Sequence, residues 1–280
     1  MTLIALFSDK GSPGVSTLTL ALAAVWPRRV LIAELDPAGG DLALRLIDGS
    51  GCPVLAASPG LVSLAAAARA DDDVSVWAHA HLLPLCPDAA VLPGLTSGDQ
   101  GSGIATLWPA VAARLASLDD GDVLADLGRL QPGSPAHAVA ERADVLFGVG
   151  SADAEGILRL RDRLTHLLSP RVSNGLGATG AHAPRATVAL VGEDRLASEA
   201  VRGIRTVLTH AGLAVTVAGH VARDPGAVAD LYRGQDSARL RRSLLLRSVR
   251  TLLPALTGNS SPTPVPGPAG IRRSTAVGVR

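Results

Sequence analysis

Lysine is almost missing from this sequence. Of its 26 basic residues only Lys10 is a lysine, and the rest are arginine. Cysteine is scarce as well: Cys52 and Cys86 stand alone and form no CxxC pair. That excludes a disulfide scaffold and a cysteine zinc site, and it points to a reducing compartment. Aromatic residues make up 2% of the chain, so no row of rings offers a stacking platform for single-stranded nucleic acid. A net charge of +1 removes any global attraction to polyanions. No basic segment opens the chain in the manner of a secretory signal. The uncharged run that ends at Pro27 falls short of the roughly 20 residues of a membrane helix. These absences predict a cytoplasmic protein.

What is present is aliphatic, with 47% hydrophobic residues over 280 positions. Short apolar runs suited to strands buried on both faces occur at Leu3–Phe7, Val30–Glu34, His81–Leu85, Val123–Asp126, Val145–Val149, Thr187–Val191 and Val215–Ala218. Helical patterns fall between them, at Ser16–Val25, Leu61–Arg69, Ile104–Leu118, Pro135–Arg142, Ala152–Leu168 and Arg195–His210. The alternation predicts an α/β fold with a doubly wound, mainly parallel sheet flanked by helices. One domain over residues 1–257 is expected. A flexible Gly/Ala/Pro-rich loop is expected at about 169–185, and a disordered tail over 258–280.

The stretch SDKGSPGVST, Ser8 to Thr17, lies between the first apolar run and the first helix. A loop there offers backbone N–H groups and a helix N-terminus to an anion. Gly11 and Gly14 let the backbone curl toward phosphate oxygens. Ser16 or Thr17 would open the helix and present a hydroxyl to Mg²⁺. The loop departs from GxxxxGK[ST], because Asp9 replaces the first glycine and Val15 the lysine. Lys10 carries the compact ammonium that suits a phosphate site.

In register, Lys10-Gly11-Ser12-Pro13-Gly14-Val15-Ser16-Thr17 resembles the deviant Walker A motif of the ParA/MinD superfamily of P-loop ATPases. The early lysine is kept as Lys10, a second glycine has become Ser12, and the later lysine has become Val15. Keeping one lysine and losing the other looks like the TadZ/CpaE branch, as does the GDLAL run at Gly40–Leu44. The resemblance implies a P-loop NTPase fold that binds ATP and Mg²⁺ through Lys10, Gly11, Ser12, Pro13, Gly14, Val15, Ser16 and Thr17. It puts Asp36, after the second strand, beside the attacking water and the metal. It puts Asp126, at the end of a Walker B-like strand, on Mg²⁺ together with Ser16. Arg223, Asp224 and Pro225 match the late loop near the base. Through the same resemblance the chain is expected to act as a weak or switch-like ATPase. It would organise a pilus, secretion, septum or chromosome-partitioning system in space, with a homodimer and a protein partner.

Two alternatives stay open: a scaffold whose loop binds nothing, or an ATP-dependent synthetase on the same fold, which Val15 argues against. Ala238–Gly258 reads as a basic amphipathic helix. Its arginines at 239–250 suit an anionic membrane surface or nonspecific DNA contact. The plainer alternative is a last helix that covers the sheet. His79 and His81 could share a strand face, but no third metal ligand stands near them.

Overall fold

The computed structural model describes residues 1–10, 13–46, 60–69, 83–86, 88–119, 121–169, 183–234 and 237–258. Eight strands form one sheet: β1 (Leu3–Ser8), β2 (Val30–Glu34), β3 (Leu83–Cys86), β4 (Ala89–Leu92), β5 (Asp122–Arg129), β6 (Val145–Ser151), β7 (Arg185–Gly192) and β8 (Thr216–Ala222). Their spatial order is β3-β4-β2-β5-β1-β6-β7-β8. β3 runs antiparallel to β4, and every other pairing is parallel.

Alternate residues of each strand serve opposite faces. Leu3, Ala5 and Phe7 of β1 enter one apolar layer, and Ile4 and Leu6 the other. This is why the strands read as unbroken apolar runs. The helices in chain order are α1 (Val15–Ala23), α2 (Leu42–Arg45), α3 (Leu61–Arg69), α4 (Gly98–Gly103), α5 (Trp108–Ala116), α6 (His137–Ala140), α7 (Ala154–Leu168), α8 (Ala197–His210), α9 (Pro225–Tyr232), α10 (Ala238–Arg241), α11 (Leu244–Arg250) and α12 (Leu253–Thr257). α3, α5, α7 and α8 cover the first layer; α7 does so with the stripe Ile157, Leu160, Leu164 and Leu167. α1, α2 and α9 to α12 cover the second.

Several elements differ from the sequence expectation. The strand expected at His81–Leu85 is β3, at Leu83–Cys86, and the parallel strand beside β2 is β4. β4 reads only Ala-Ala-Val-Leu, too short and small to announce itself. The last strand extends to Ala222 rather than ending at Ala218. The helix expected over Ile104–Leu118 begins as a 3₁₀ turn at Ala105–Leu107 and becomes α-helical at Trp108. The single basic helix expected in Ala238–Gly258 is three short helices. Ser237 and Ser243 cap the first two, accepting from Leu240 N and Leu246 N, and Pro254 sits in the first turn of the third. The expected loop at 169–185 falls outside the described residues over 170–182, and the expected tail over 259–280. Cys52, Asp71–Asp73, Trp77, His79 and His81 lie outside them too.

Candidate functional site

β1 delivers the chain to the middle of the carboxyl edge of the sheet. Ser8 is buried there, its carbonyl accepting from Leu130 N at 3.0 Å, so the end of β1 is tied to the loop after β5. The Asp9 carboxylate is held by Arg163 of α7, at 2.8 Å from Nε and 2.7 Å from Nη2. Lys10 is exposed. Gly11 and Ser12, both expected to bind phosphate, lie outside the described residues. Pro13 is half-buried, and Gly14 caps α1 with φ 95°, a left-handed conformation that favours glycine. Among the described residues no side chain caps α1, and its first turn holds no acidic residue. The leading N–H groups of this helix thus face the loop, with the positive end of the helix dipole behind them.

The three residues after Gly14 point three ways. Val15 is 5% exposed and packs among Leu18, Leu22 and Ile32 in the second apolar layer. Its side chain is spent on the core, so the loop receives only its backbone. Ser16 turns its hydroxyl toward Asp126. The Thr17 hydroxyl lies 3.0 Å from that of Tyr232 on α9.

β2 and β5 bring three carboxylates together. Glu34 and Asp126 are register partners on these adjacent strands, and Asp36 follows two residues after Glu34. Asp36 accepts from Ala38 N at 2.8 Å, closing a tight turn, and its carboxylate lies on Gly128. A Cβ at Gly128 would come within 1.8 Å of Asp36 Oδ2, and Gly128 has φ +58°. Partial burial raises the Asp36 pKa, against the pull of the Ala38 N–H and the Arg129 charge.

Asp126 is buried, and desolvation lifts its pKa to about 6. The Ser16 hydroxyl and the Gly128 N–H oppose the shift, and the Glu34 and Asp36 charges add to it. Its Oδ1 accepts from Gly128 N at 2.9 Å. Its Oδ2 is buried with no hydrogen-bond partner among the described residues. An orphaned oxygen on a buried carboxylate that lies near a hydroxyl at the start of a helix fits a hard cation. Among the described residues no three His, Cys, Asp or Glu side chains form a ready-made cage. A cation here would therefore complete its shell with oxygens of a bound anion and water.

Glu34 was not singled out in the sequence. It is 2% exposed, and both of its oxygens are taken by backbone: Leu42 N donates to Oε1 at 2.9 Å and Gly94 N to Oε2 at 3.0 Å. Gly40 and Gly94 crowd it so closely that a Cβ at either would strike its side chain. Burial raises its pKa against these two bonds. Glu34 thus fixes the loop that carries Asp36. The signal in the sequence was an acid inside a buried strand, followed by Gly39-Gly40.

Asp224 and Pro225 follow β8 at the edge of the sheet, three strands from β1. Asp224 caps α9 by accepting from Ala227 N at 3.0 Å, and Pro225 takes the first helical position. α9 returns toward α1 through Tyr232. Ser16, Asp36 and Asp126 gather around the ends of β1, β2 and β5, while Asp224 and Pro225 stand on the β8 side.

No family model matches the chain, and no curated protein matches it. Its structure is similar to a ParA family ATPase from Chlorobium tepidum TLS, with a TM-score of 0.66 and 18% identity over 91% of this chain and 97% of that one. It is similar to the septum site-determining protein MinD complexed with Mg-ADP from Pyrococcus horikoshii OT3, with a TM-score of 0.63, 18% identity, and 90% and 93% of the two chains covered. It is also similar to a Cyanothece McdA(D38A)–ATP complex, with a TM-score of 0.64, 16% identity, and 92% and 96% covered. The chain has the doubly wound α/β fold of the ParA/MinD P-loop ATPases.

Proposed function

We propose that this chain is a ParA/MinD-type protein that binds ATP with Mg²⁺ through a deviant Walker A loop and acts as a weak or switch-like ATPase. The observation that carries the reading is Asp126: a buried carboxylate with one unpartnered oxygen, facing Ser16 at the first turn of an uncapped helix. Similar structures named as holding Mg-ADP and ATP support it. Asp126 and Ser16 would hold Mg²⁺, which when bound offsets phosphate charge. Asp36 would orient water. Lys10, Gly11, Ser12, Pro13 and Gly14, with the backbone of Val15, Ser16 and Thr17, would bind the phosphates. Asp224 and Pro225 would approach the base. Val15 removes one charged contact, which slows transfer by on the order of 10²–10³.

In this reading residues 1–257 form the domain, and its loop resembles that of the TadZ/CpaE branch. Its role is spatial organisation of a partitioning, septum, pilus or secretion system, through a homodimer and a protein partner. No helix among the described residues is long and apolar enough to cross a membrane. The apolar side of the C-terminal segment, Leu240, Leu245, Leu246, Val249, Leu252 and Leu256, is buried in the core. That favours sheet cover over membrane insertion and leaves the arginines of 239–250 for anionic surfaces, lipid or DNA.

The burial of Val15 favours a second reading, a scaffold without nucleotide control. Equilibrium binding of a fluorescent ATP analogue, with and without Mg²⁺ and beside Lys10→Ala, separates the two. Saturable, Mg²⁺-dependent binding weakened by the variant supports the switch. No binding up to millimolar analogue would leave the scaffold.

A further inference from the structure

Val15 leaves the first turn of α1 without a lysine, yet a cation from another element stands on the tyrosine that touches that turn. Tyr232, the one tyrosine of the chain, is 9% exposed and ends α9. Its hydroxyl lies 3.0 Å from Thr17 Oγ1, in the third position of α1. Over its ring stands Arg45, the last residue of α2, with its guanidinium carbon 5.8 Å from the ring centroid. Such a ring face attracts a guanidinium and fixes its plane. One helical turn earlier Asp41 pairs with Arg45 at 2.6 Å. α2 is itself anchored, because the Leu42 N–H donates to buried Glu34.

Arg45 is therefore carried from the loop after β2 to a tyrosine that touches the start of α1. Its side chain is 49% exposed, and Asp41 and one ring do not exhaust five N–H donors. Resting on the nucleotide reading above, we infer that Arg45 faces the phosphate chain of a bound nucleoside triphosphate, in place of the lysine that Val15 displaces, and that Tyr232 positions it. Asp41 competes with the phosphates for the same guanidinium.

The test is a titration of the full chain with mant-labelled ATP and Mg²⁺ at low and high salt. Arg45→Gln should weaken binding about ten-fold, the usual loss for one charge-assisted contact, and should flatten its salt dependence. Arg45→Lys should restore most of the affinity, because the charge is kept. Tyr232→Phe, which keeps the ring and drops the hydroxyl, should weaken binding about three-fold. Asp41→Asn should tighten it. Arg205→Gln, on α8 against the opposite face of the sheet, should change nothing. Arg45→Gln behaving like Arg205→Gln at both salt concentrations overturns this inference alone. No binding by the unaltered protein overturns the nucleotide reading and this inference with it.

Discussion

Glu34 and Asp126 stand opposite each other on parallel strands, and their carboxylates are treated in opposite ways. Both Glu34 oxygens accept backbone N–H groups, one from the start of α2 and one from the loop after β4. Asp126 keeps one oxygen buried with no partner among the described residues. The first acid builds the site, and the second is left with capacity to bind. A buried, half-satisfied carboxylate lowers stability until a cation meets it.

Asp126→Asn should therefore stabilise the protein in the absence of nucleotide. The folded-state pKa of about 6 lies above the ordinary 3.8. The folded state thus binds the proton more tightly than the unfolded chain. The stabilisation from that proton is complete below about pH 4 and is lost as pH rises through 6, a change of about 3 kcal/mol. Denaturant titrations at pH 4 and pH 7 should show the variant gaining on the parent at the higher pH. A variant equal to or below the parent at pH 7 would contradict the orphaned charge.

Glu34→Gln should destabilise. The amide nitrogen would replace one acceptor and confront an N–H of Leu42 or Gly94. The expected loss is about 2 kcal/mol, read as a lowered melting temperature. Faster amide exchange is expected at Leu42 and Gly94, with little change in β6 to β8.

Gly128→Ala should be more severe locally. A Cβ there meets Asp36 Oδ2 at 1.8 Å, and the φ of +58° disfavours any side chain. Asp36 must move away or the loop after β5 must open, at a cost of about 1–3 kcal/mol. ATP turnover, if present in the parent, should fall in this variant more than analogue binding does.

Asp122→Ala is the control at the far end of the sheet. Asp122 is 2% exposed and accepts from Thr2 N, Trp26 Nε1 and Arg28, joining the N-terminus to β5. Losing it should cost about 3 kcal/mol and lower the midpoint of denaturation. Binding of analogue, measured well below that midpoint, should be unchanged.

Much of the architecture was legible because a strand buried on both faces is apolar at most of its positions. β1, β2, β5, β6 and β7 announce themselves that way. Gly14 was visible as punctuation before α1, and Asp126 as an acid closing the apolar run Val123–Asp126, although β5 continues past it to Arg129. β4 was missed because four small residues carry no pattern, and Glu34 because an acid in a strand reads as the strand's end. The C-terminal helices were merged because serine caps resemble polar positions on one long helix.

By itself the sequence determined the alternation of strands and helices, the glycine loop after β1, and the carboxylates after β2 and within β5. These follow from local rules: side-chain period, glycine's freedom at positive φ, and the preference of a buried strand for apolar residues. Only the tertiary structure decided that Val15 belongs to the core, that Ser16 turns to Asp126 while Thr17 turns to Tyr232, and that Arg45 meets a tyrosine 187 positions later. Such contacts join elements distant in the chain. They depend on which face of α1 each side chain takes once the helix has packed, and no local rule records that choice.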